Sequence, residues 1–433
     1  MLLFILQSLL TVYELMKQIF IFLASCLIFW SFTTEDPIKL TVKDILASTQ
    51  KERRFVNSQK SIDFLTDLNF HTPLLKDLGF RYGADDISSA KQQFALGVGF
   101  NSLGMMKKQD ALKKAQINRY QSKKEVLTAE VIKERYVDIV DVYFAQTLLA
   151  KQQFLDTLLN QRNAAFKLAL QKGLTVKIKD LVETEEDLRQ LNSDIIETQN
   201  IRSSGFYRIK DYLGLQNEFV FSFDNVISVA QIKNIVQQIK GNKTFLTPEI
   251  KSLQNDIGLV QAELSLEEAS FNQILDGVQL IYEKAPKNDF TIKDFAFRVS
   301  FNIPIKGNLR PKQNELLMDI KEAENDYHFM YFETDRKVKM QLMKLDNMLK
   351  QYQQSVEKMQ KSLAKSFLNT PSVSSTLSPT DIIDLKIIEQ KKEIDLVQTQ
   401  FSLLKEFIAL LDLTGDLVKI PYKNYLSNNL ENW

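Results

Sequence analysis

The sequence predicts a mostly α protein with some β structure, in which a β-hairpin followed by a long antiparallel helical hairpin occurs twice. Three observations predict this fold class. Two pairs of segments with alternating apolar residues occur about 200 residues apart. A very long stretch without glycine or proline follows each pair. Each of these stretches also carries an apolar repeat of 3.5 residues.

The strands are predicted from period-2 alternation. In Phe94–Phe100 and in Phe295–Ile303, large apolar residues alternate with small or polar ones, and Val98 and Val299 are 201 positions apart (299 − 98). Each segment is preceded by a partner strand around Tyr82 or Tyr282, which are 200 positions apart (282 − 82). Such alternation indicates a sheet with one apolar and one polar face.

Two interpretations of these faces stay open at this point. In a soluble sheet the apolar face must be covered by other parts of the protein. In a transmembrane barrel the apolar face contacts lipid and the small or polar face lines a lumen.

Long helices are predicted after each pair of strands. The first runs from about Met105 to Lys172 and the second from about Lys312 to Asn369. At roughly 1.5 Å per residue, these helices would extend on the order of 90–100 Å. A returning helix then leads to Gly214 or Gly415, which are again 201 positions apart (415 − 214).

Apolar residues in these stretches step by four and three. A sustained 3.5-residue period favours helices that supercoil and pack knobs into holes. The pattern predicts packing and carries no information on function. The positions include Ile132, Tyr136, Ile139, Tyr143, Leu188, Leu191, Ile195, Val338, Leu342, Leu345, Leu349, Tyr352, Val356, Met359, Leu363, Ile394, Val397, Phe401, Leu404, Ile408 and Leu411.

The chain divides at the predicted turns. The expected segments are a signal region at 1–32, a first repeat at 33–214, a connector at 215–245, a second repeat at 246–417 and a tail at 418–433. Each repeat opens with a helical segment. The predicted β-hairpins span 77–101 and 277–305, and the helical hairpins span 105–214 and 312–415.

The N-terminus carries the strongly apolar run of the chain. Ile19–Phe32 follows Met16-Lys17 and precedes a polar stretch, which is typical of a secretory signal whose true start is Met16. A single transmembrane anchor is the alternative. The single cysteine, Cys26, ends a lipobox-like Leu23-Ala24-Ser25-Cys26, so lipidation of Cys26 is a further option, although the apolar residues continue to Trp30.

Composition and motifs argue against several classes of protein. A formal net charge of +1 disfavours a nucleic-acid binder, which normally has a basic excess. His71 and His328 are far apart and lack neighbours at metal-ligand spacing, and we find no phosphate-binding loop, nucleophile elbow or catalytic thiol. We therefore expect no enzyme activity, cofactor or metal site.

The order of these elements resembles the TolC family of outer-membrane efflux proteins, from about Leu40 to Leu417. The resemblance depends on Leu40–Leu46, on the corner Phe301–Asn308, on Gly173-Leu174 and on the helix ends Tyr212–Gly214 and Leu413–Gly415. It implies a homotrimer in which each subunit gives four strands to one twelve-stranded transmembrane β-barrel. The helices would form a trimeric α-barrel across the periplasm.

The same resemblance implies partners and sites. The helical tips would dock a periplasmic adaptor protein tied to an inner-membrane transporter, and the candidate docking residues are Leu170, Gly173, Leu174, Ser375 and Leu377. The family's gate uses aspartates after the second tip, a place that Asp381 and Asp384 occupy here. Six carboxylates in a trimer would attract cations and raise one another's pKa values.

An alternative stays open for these aspartates and for the whole chain. Ser378-Pro379-Thr380-Asp381 is also typical of a helix start, and Asp180 lies 201 positions before Asp381 (381 − 180). For the chain we expect an outer-membrane channel subunit of an efflux or type I secretion system, a passive export duct. The alternative is a secreted periplasmic coiled-coil protein, structural or adaptor, without a membrane barrel.

Overall fold

The computed structural model describes most of the chain after the N-terminal region. The described residues are 38–68, 75–84, 92–101, 103–216, 219–223, 225–242, 244–271, 274–283, 295–301, 310–370 and 377–433. The predicted signal region with Met16 and Cys26, the corner residues 302–308, His71 and Ser375 lie outside these ranges.

The described part of the first half of the chain forms three strands and four α-helices. A capping box starts α1, because Thr41 Oγ1 accepts from the Asp44 amide while the Asp44 carboxylate accepts from the Thr41 amide. The predicted first helical segment is therefore divided into a strand and two helices with a 3₁₀ turn between them. The elements are β1 (Ile38–Thr41), α1 (Val42–Ala47), α2 (Arg53–Asp67), β2 (Leu75–Ala84), β3 (Gln92–Phe100), α3 (Leu103–Gln171) and α4 (Ile178–Leu213).

The second half repeats this order after a short connector. Thr247 caps α6, since its Oγ1 accepts from the Ile250 amide at 3.3 Å and Pro248 takes the first helical position. The elements are β4 (Phe219–Ser222), α5 (Val229–Lys240), α6 (Pro248–Phe271), β5 (Leu275–Glu283), β6 (Phe295–Phe301), α7 (Arg310–Gln360), α8 (Leu363–Asn369) and α9 (Pro379–Leu413).

Four strands form one antiparallel sheet in the order β2-β3-β5-β6. The central pairing, β3 with β5, joins the two halves of the chain and is antiparallel over Gln93–Gly99. Within the described residues, β2 and β6 are the outer strands. A second, two-stranded sheet pairs β1 with β4 in parallel.

The helices are arranged in the same order as the strands that they extend. α3 packs against α2 and α4 on one flank and against α6 and α9 on the other, while α7 packs against α6 and α9. The layer therefore runs from α2 and α4, through α3, through α6 and α9, to α7. α2 and α4 therefore lie on the same side of the molecule as β2, and α7 lies on the same side as β6.

The main core lies where the long helices meet the connector and the tail. Ile132, Ile139, Val338, Leu404 and Ile408 are buried there, as the 3.5-residue pattern predicts. The tail closes over this core, because the Tyr136 hydroxyl donates to the Lys423 carbonyl at 2.7 Å and accepts from the Tyr425 amide at 3.1 Å.

The predicted mostly helical fold with fewer strands is confirmed. A further difference from the sequence prediction lies in the long helix that follows β6. The sequence predicts a helix to Asn369 with Leu363 in the apolar seam. Instead, α7 ends at Gln360 and α8 starts at Leu363, whose side chain is 72% exposed. The Ser362 hydroxyl bonds the Glu389 carboxylate and accepts from Lys392 Nζ at 2.6 Å, so Ser362 is held to α9 and the seam shifts to Ala364.

Candidate functional site

The four-stranded sheet carries three apolar rows on one face. Each row crosses all four strands, because the registers place like residues side by side. The rows are Leu78-Val98-Val278-Val299, Phe80-Leu96-Leu280-Phe297 and Tyr82-Phe94-Tyr282-Phe295.

This apolar face is bare in the single chain. Phe80 and Phe297, at the two sides of the sheet, are 68% and 69% exposed, and Leu78, Tyr82 and Phe301 are also exposed. A soluble sheet would cover such a face, since a contiguous exposed apolar patch of this kind marks a contact with lipid or with another protein. No described helix covers it, which disfavours the soluble-sheet interpretation.

The opposite face of the sheet is mostly small and polar, although it also carries the buried Ile281. Asp77, Gly99, Gly277 and Ser300 form one row across it, and the next row contains Gln279 and Arg298. A Cβ at Gly277 would lie 2.8 Å from the Val98 carbonyl oxygen, so only glycine allows this approach of β5 to β3. The face leaves an open, polar surface of the type that lines a water-filled lumen.

The first tip joins α3 to α4 at a glycine turn. Gly173 has a left-handed backbone (φ 71°), its amide donates to the Leu170 carbonyl, and the Leu174 amide donates to the Ala169 carbonyl at 2.9 Å. These bonds end α3 in a Schellman motif. The turn leaves Leu170 and Leu174 exposed, so both predicted docking residues lie on an accessible apolar surface.

The second tip leads into α9 through a capping box. Ser378 Oγ accepts from the Asp381 amide at 3.1 Å, and the Asp381 carboxylate accepts from the Ser378 amide at 3.1 Å. These bonds hold the pKa of the Asp381 carboxyl below its usual range. Leu377 is half-buried just before the cap.

Asp384 has a different environment from Asp381. Its Oδ1 lies 2.8 Å from Nε of Arg162, a residue of α3. Burial raises the pKa of the Asp384 carboxyl, Arg162 opposes the rise, and the nearby charges of Asp381 and Asp180 add to it. Three carboxylates and one guanidinium therefore meet at the start of α9.

A helix start was anticipated as one of two roles for Asp381, and the capping box has that geometry. The equivalence with the first copy is incomplete, because Asp180 takes the same helical position in α4 without a side-chain cap. Sequence reasoning missed Arg162, which lies 222 positions before Asp384 (384 − 162) and has no local signal.

A charged network joins α3 to α4 well away from the tips. Arg135 is fully buried, bonds Glu52 Oε2 at 2.6 Å and stacks 3.0 Å from the centre of the Tyr212 ring. The Tyr212 hydroxyl bonds the Asp138 carboxylate, which also accepts from Arg208 Nε at 2.5 Å. Burial, together with Asp138, raises the pKa of Tyr212 to about 12.

The described residues contain neither a metal cluster nor a spanning helix. Over these ranges, no three His, Cys, Asp or Glu side chains are grouped as metal ligands would be. None of the helices described here combines the length and apolarity needed to cross a bilayer.

The fold is that of outer-membrane channels. The Campylobacter jejuni CmeC outer membrane channel superimposes with a TM-score of 0.59 at 11% identity, over 90% of this chain and 87% of that chain. The open state of the Neisseria gonorrhoeae MtrE outer membrane channel gives 0.60 at 11% identity, over 90% and 91%. CusC, described as forming a transmembrane channel, gives 0.61 at 12% identity, over 86% and 92%.

The predicted resemblance to TolC-family outer-membrane efflux channels is thus confirmed as a likeness of fold over most of the chain. The sequence itself matches no family model and no curated protein.

Proposed function

We propose that this chain is one subunit of an outer-membrane export channel of the efflux type, working as a passive duct across the periplasm. The bare apolar face of the four-stranded sheet supports this proposal most directly. Lipid is the cover that such a face requires when the opposite face is polar. The channels that share the fold are outer-membrane proteins, and we assign this chain to the same membrane.

Closure by further copies of the chain follows from the edges of the sheet. An open strand edge is not tolerated in lipid, and four strands are too few to close a barrel. If the β6 edge of one copy meets the β2 edge of the next, the contact is head-to-tail and generates a ring. Three copies would give twelve strands. The proposal also includes the division of each chain into two repeats, 33–214 and 246–417, joined by the connector 215–245.

The outer helices support the same closure. α7 exposes Phe329, Phe332 and Met343, and the opposite side of the layer exposes Phe64 of α2 and Tyr207 of α4. Both sides therefore have apolar surface that is bare in one chain. In a head-to-tail ring these surfaces would face each other, just as the strand edges do.

The remaining roles extend this proposal to partners and gate. We assign the tips around Leu170, Gly173, Leu174 and Leu377 to an adaptor protein that links the duct to an inner-membrane transporter of an efflux or type I secretion system. Asp381 and Asp384 would form the gate.

A paired substitution in β6 tests the membrane assignment. Phe297→Lys places a charge on the apolar face, where it costs roughly 2–4 kcal/mol at the bilayer midplane. Ser300→Lys places the same charge on the polar face and should be tolerated. We expect Phe297→Lys alone to reduce the amount of protein in washed outer membranes. Equal amounts of both variants there would contradict the assignment.

Conductance separates the duct from a scaffold. The purified chain should form a trimer and give single-channel steps in planar bilayers, and a monomer without steps would favour the periplasmic coiled-coil alternative. In the same assay, Asp381→Asn with Asp384→Asn should weaken block by divalent cations, since the carboxylates would attract them. Unchanged block would remove both residues from the gate.

A further inference from the structure

The break at Ser362 opens a groove that the apolar pattern did not predict. The groove lies between α8, the end of α7 and the start of α9, and has a volume of about 720 Å³. Leu363 and Phe367 of α8 and Ile388 of α9 present exposed apolar side chains to it. Had the helix continued, Leu363 would have stayed in the seam and this surface would not exist.

The rim of this groove is mainly basic. Among the described residues that line it, the charged side chains are Lys358, Lys361, Lys392 and Glu357. Lys392 is engaged by Glu389 and Ser362, whereas Lys358 and Lys361 are exposed. The surface therefore fits a helix that has an apolar stripe bordered by acids.

The first three turns of α4 have that character. Ile178 and Val182 are 76% and 58% exposed and form a short apolar stripe, and the exposed Glu185 and Glu186 follow it one turn further on. The segment Ile178–Asp187 contains five acidic residues and one lysine. In its own chain this stripe points away from the packed side of α4, where Thr184 and Leu191 are buried.

The two surfaces also lie at the same level of the molecule. α4 and α9 both start directly after a tip, and both run back along α3. The Ser362–Glu389 bond places α8 beside the first turns of α9, so α8 is level with the first turns of α4. α9 lies between them, since it contacts α4 directly through the 2.8 Å ion pair of Lys391 with Asp187 and contacts α8 through Glu389.

We infer that the groove at α8 binds the start of α4 from a second copy of this chain, and that this contact closes the ring at its tips. The inference rests on the proposed head-to-tail assembly and specifies its contact there. Val182 enters the apolar groove beside Leu363 and Phe367. Glu183 and Glu186, whose pairs in their own chain are the exposed Lys179 and Arg189 on the surface of α4, face Lys358 and Lys361.

Disulfide trapping tests this contact in the full-length chain in membranes. Val182→Cys and Leu363→Cys are placed on two differently tagged copies that are expressed together. Oxidation should give a covalent dimer that carries both tags. Tyr207→Cys with Leu363→Cys is the matched control, because Tyr207 is as exposed but lies 25 residues along α4, about 38 Å away at 1.5 Å per residue.

Charge-reversal variants test the proposed pairing of basic groove residues with acidic residues of α4. Lys358→Glu with Lys361→Glu should cause loss of the Val182–Leu363 cross-link, and Glu183→Lys with Glu186→Lys on the partner copy should restore it. Failure of the second pair to restore the cross-link would refute the charge pairing.

The outcomes distinguish this inference from the proposed function. A native trimer that conducts but gives no more cross-link than the Tyr207 control overturns the inference alone. Cross-linking of Leu363→Cys to another periplasmic protein, with none to Val182→Cys, also overturns it and identifies an acidic helix of a partner as the occupant. A monomer without conductance overturns both proposals.

Discussion

Close contact between α3 and α4 should make one glycine intolerant of even a methyl group. A Cβ added at Gly205 would lie 2.6 Å from Val142 Cγ2, and Val142 is a buried, β-branched residue that cannot swing away. Overpacking of this kind costs roughly 1–3 kcal/mol, whereas alanine in a helix gains about 1 kcal/mol over glycine, so Gly205→Ala should lose up to about 2 kcal/mol.

A second glycine supplies the control. Gly258 lies inside α6 and has no atom within 4 Å of the position of a Cβ, so Gly258→Ala should gain about 1 kcal/mol from helix propensity alone. Thermal unfolding followed by circular dichroism at one scan rate should therefore rank Gly258→Ala above the parent chain and Gly205→Ala below it.

A double variant isolates the cause. Val142→Ala removes the methyl group that a new Cβ would meet, and Gly205→Ala added to Val142→Ala should then be stabilising. If Gly205→Ala destabilises equally in both backgrounds, the clash with Val142 is not the reason, and the close packing of α3 on α4 inferred here is incorrect.

Three further predictions concern single side chains. Because burial raises the pKa of Tyr212 to about 12, the folded chain keeps a proton that the unfolded chain releases above pH 10.0, so stability falls as the pH rises between these values. Tyr212→Phe should reduce that fall in thermal unfolding measured at pH 9 to 12. An identical pH dependence of the variant and the parent chain would contradict this. Ser378→Ala should cost about 1 kcal/mol and speed amide exchange in the first turn of α9, while Ser378→Asp should restore protection. Arg162→Gln removes the cation that holds down the pKa of Asp384, so this pKa should rise further and the pH midpoint of cation block in bilayers should move upward. An unmoved midpoint would exclude Arg162 and Asp384 from the gate.

The sequence was informative where a structural element repeats a local pattern. Period-2 alternation placed Phe80, Leu96 and Phe297 on one face of the sheet, and the rows of the structure agree. Glycines at 214 and 415 marked helix ends because both have left-handed backbone, which L side chains rarely adopt. Period and turn chemistry are local properties, so one sequence is enough to recognise them.

Pairings between distant residues were not predictable in this way. β1 pairs in parallel with β4, although Ile38 and Phe219 are 181 positions apart (219 − 38) and β1 was expected to open a helix. The break before Leu363 contains no glycine or proline, and Ser362 within it bonds Glu389 on another helix. Such partners are set by tertiary packing, which alternation and heptad patterns do not encode.

The matching order of strands and helices has a consequence for how subunits are counted. In a head-to-tail ring, the number of copies is fixed by the angle at which neighbours meet. In the proposed ring, the sheet and the helical layer would each set this angle, and both belong to the same chain. A proposed ring with one copy too many would then distort the contacts between neighbouring sheets and also those between neighbouring helical layers.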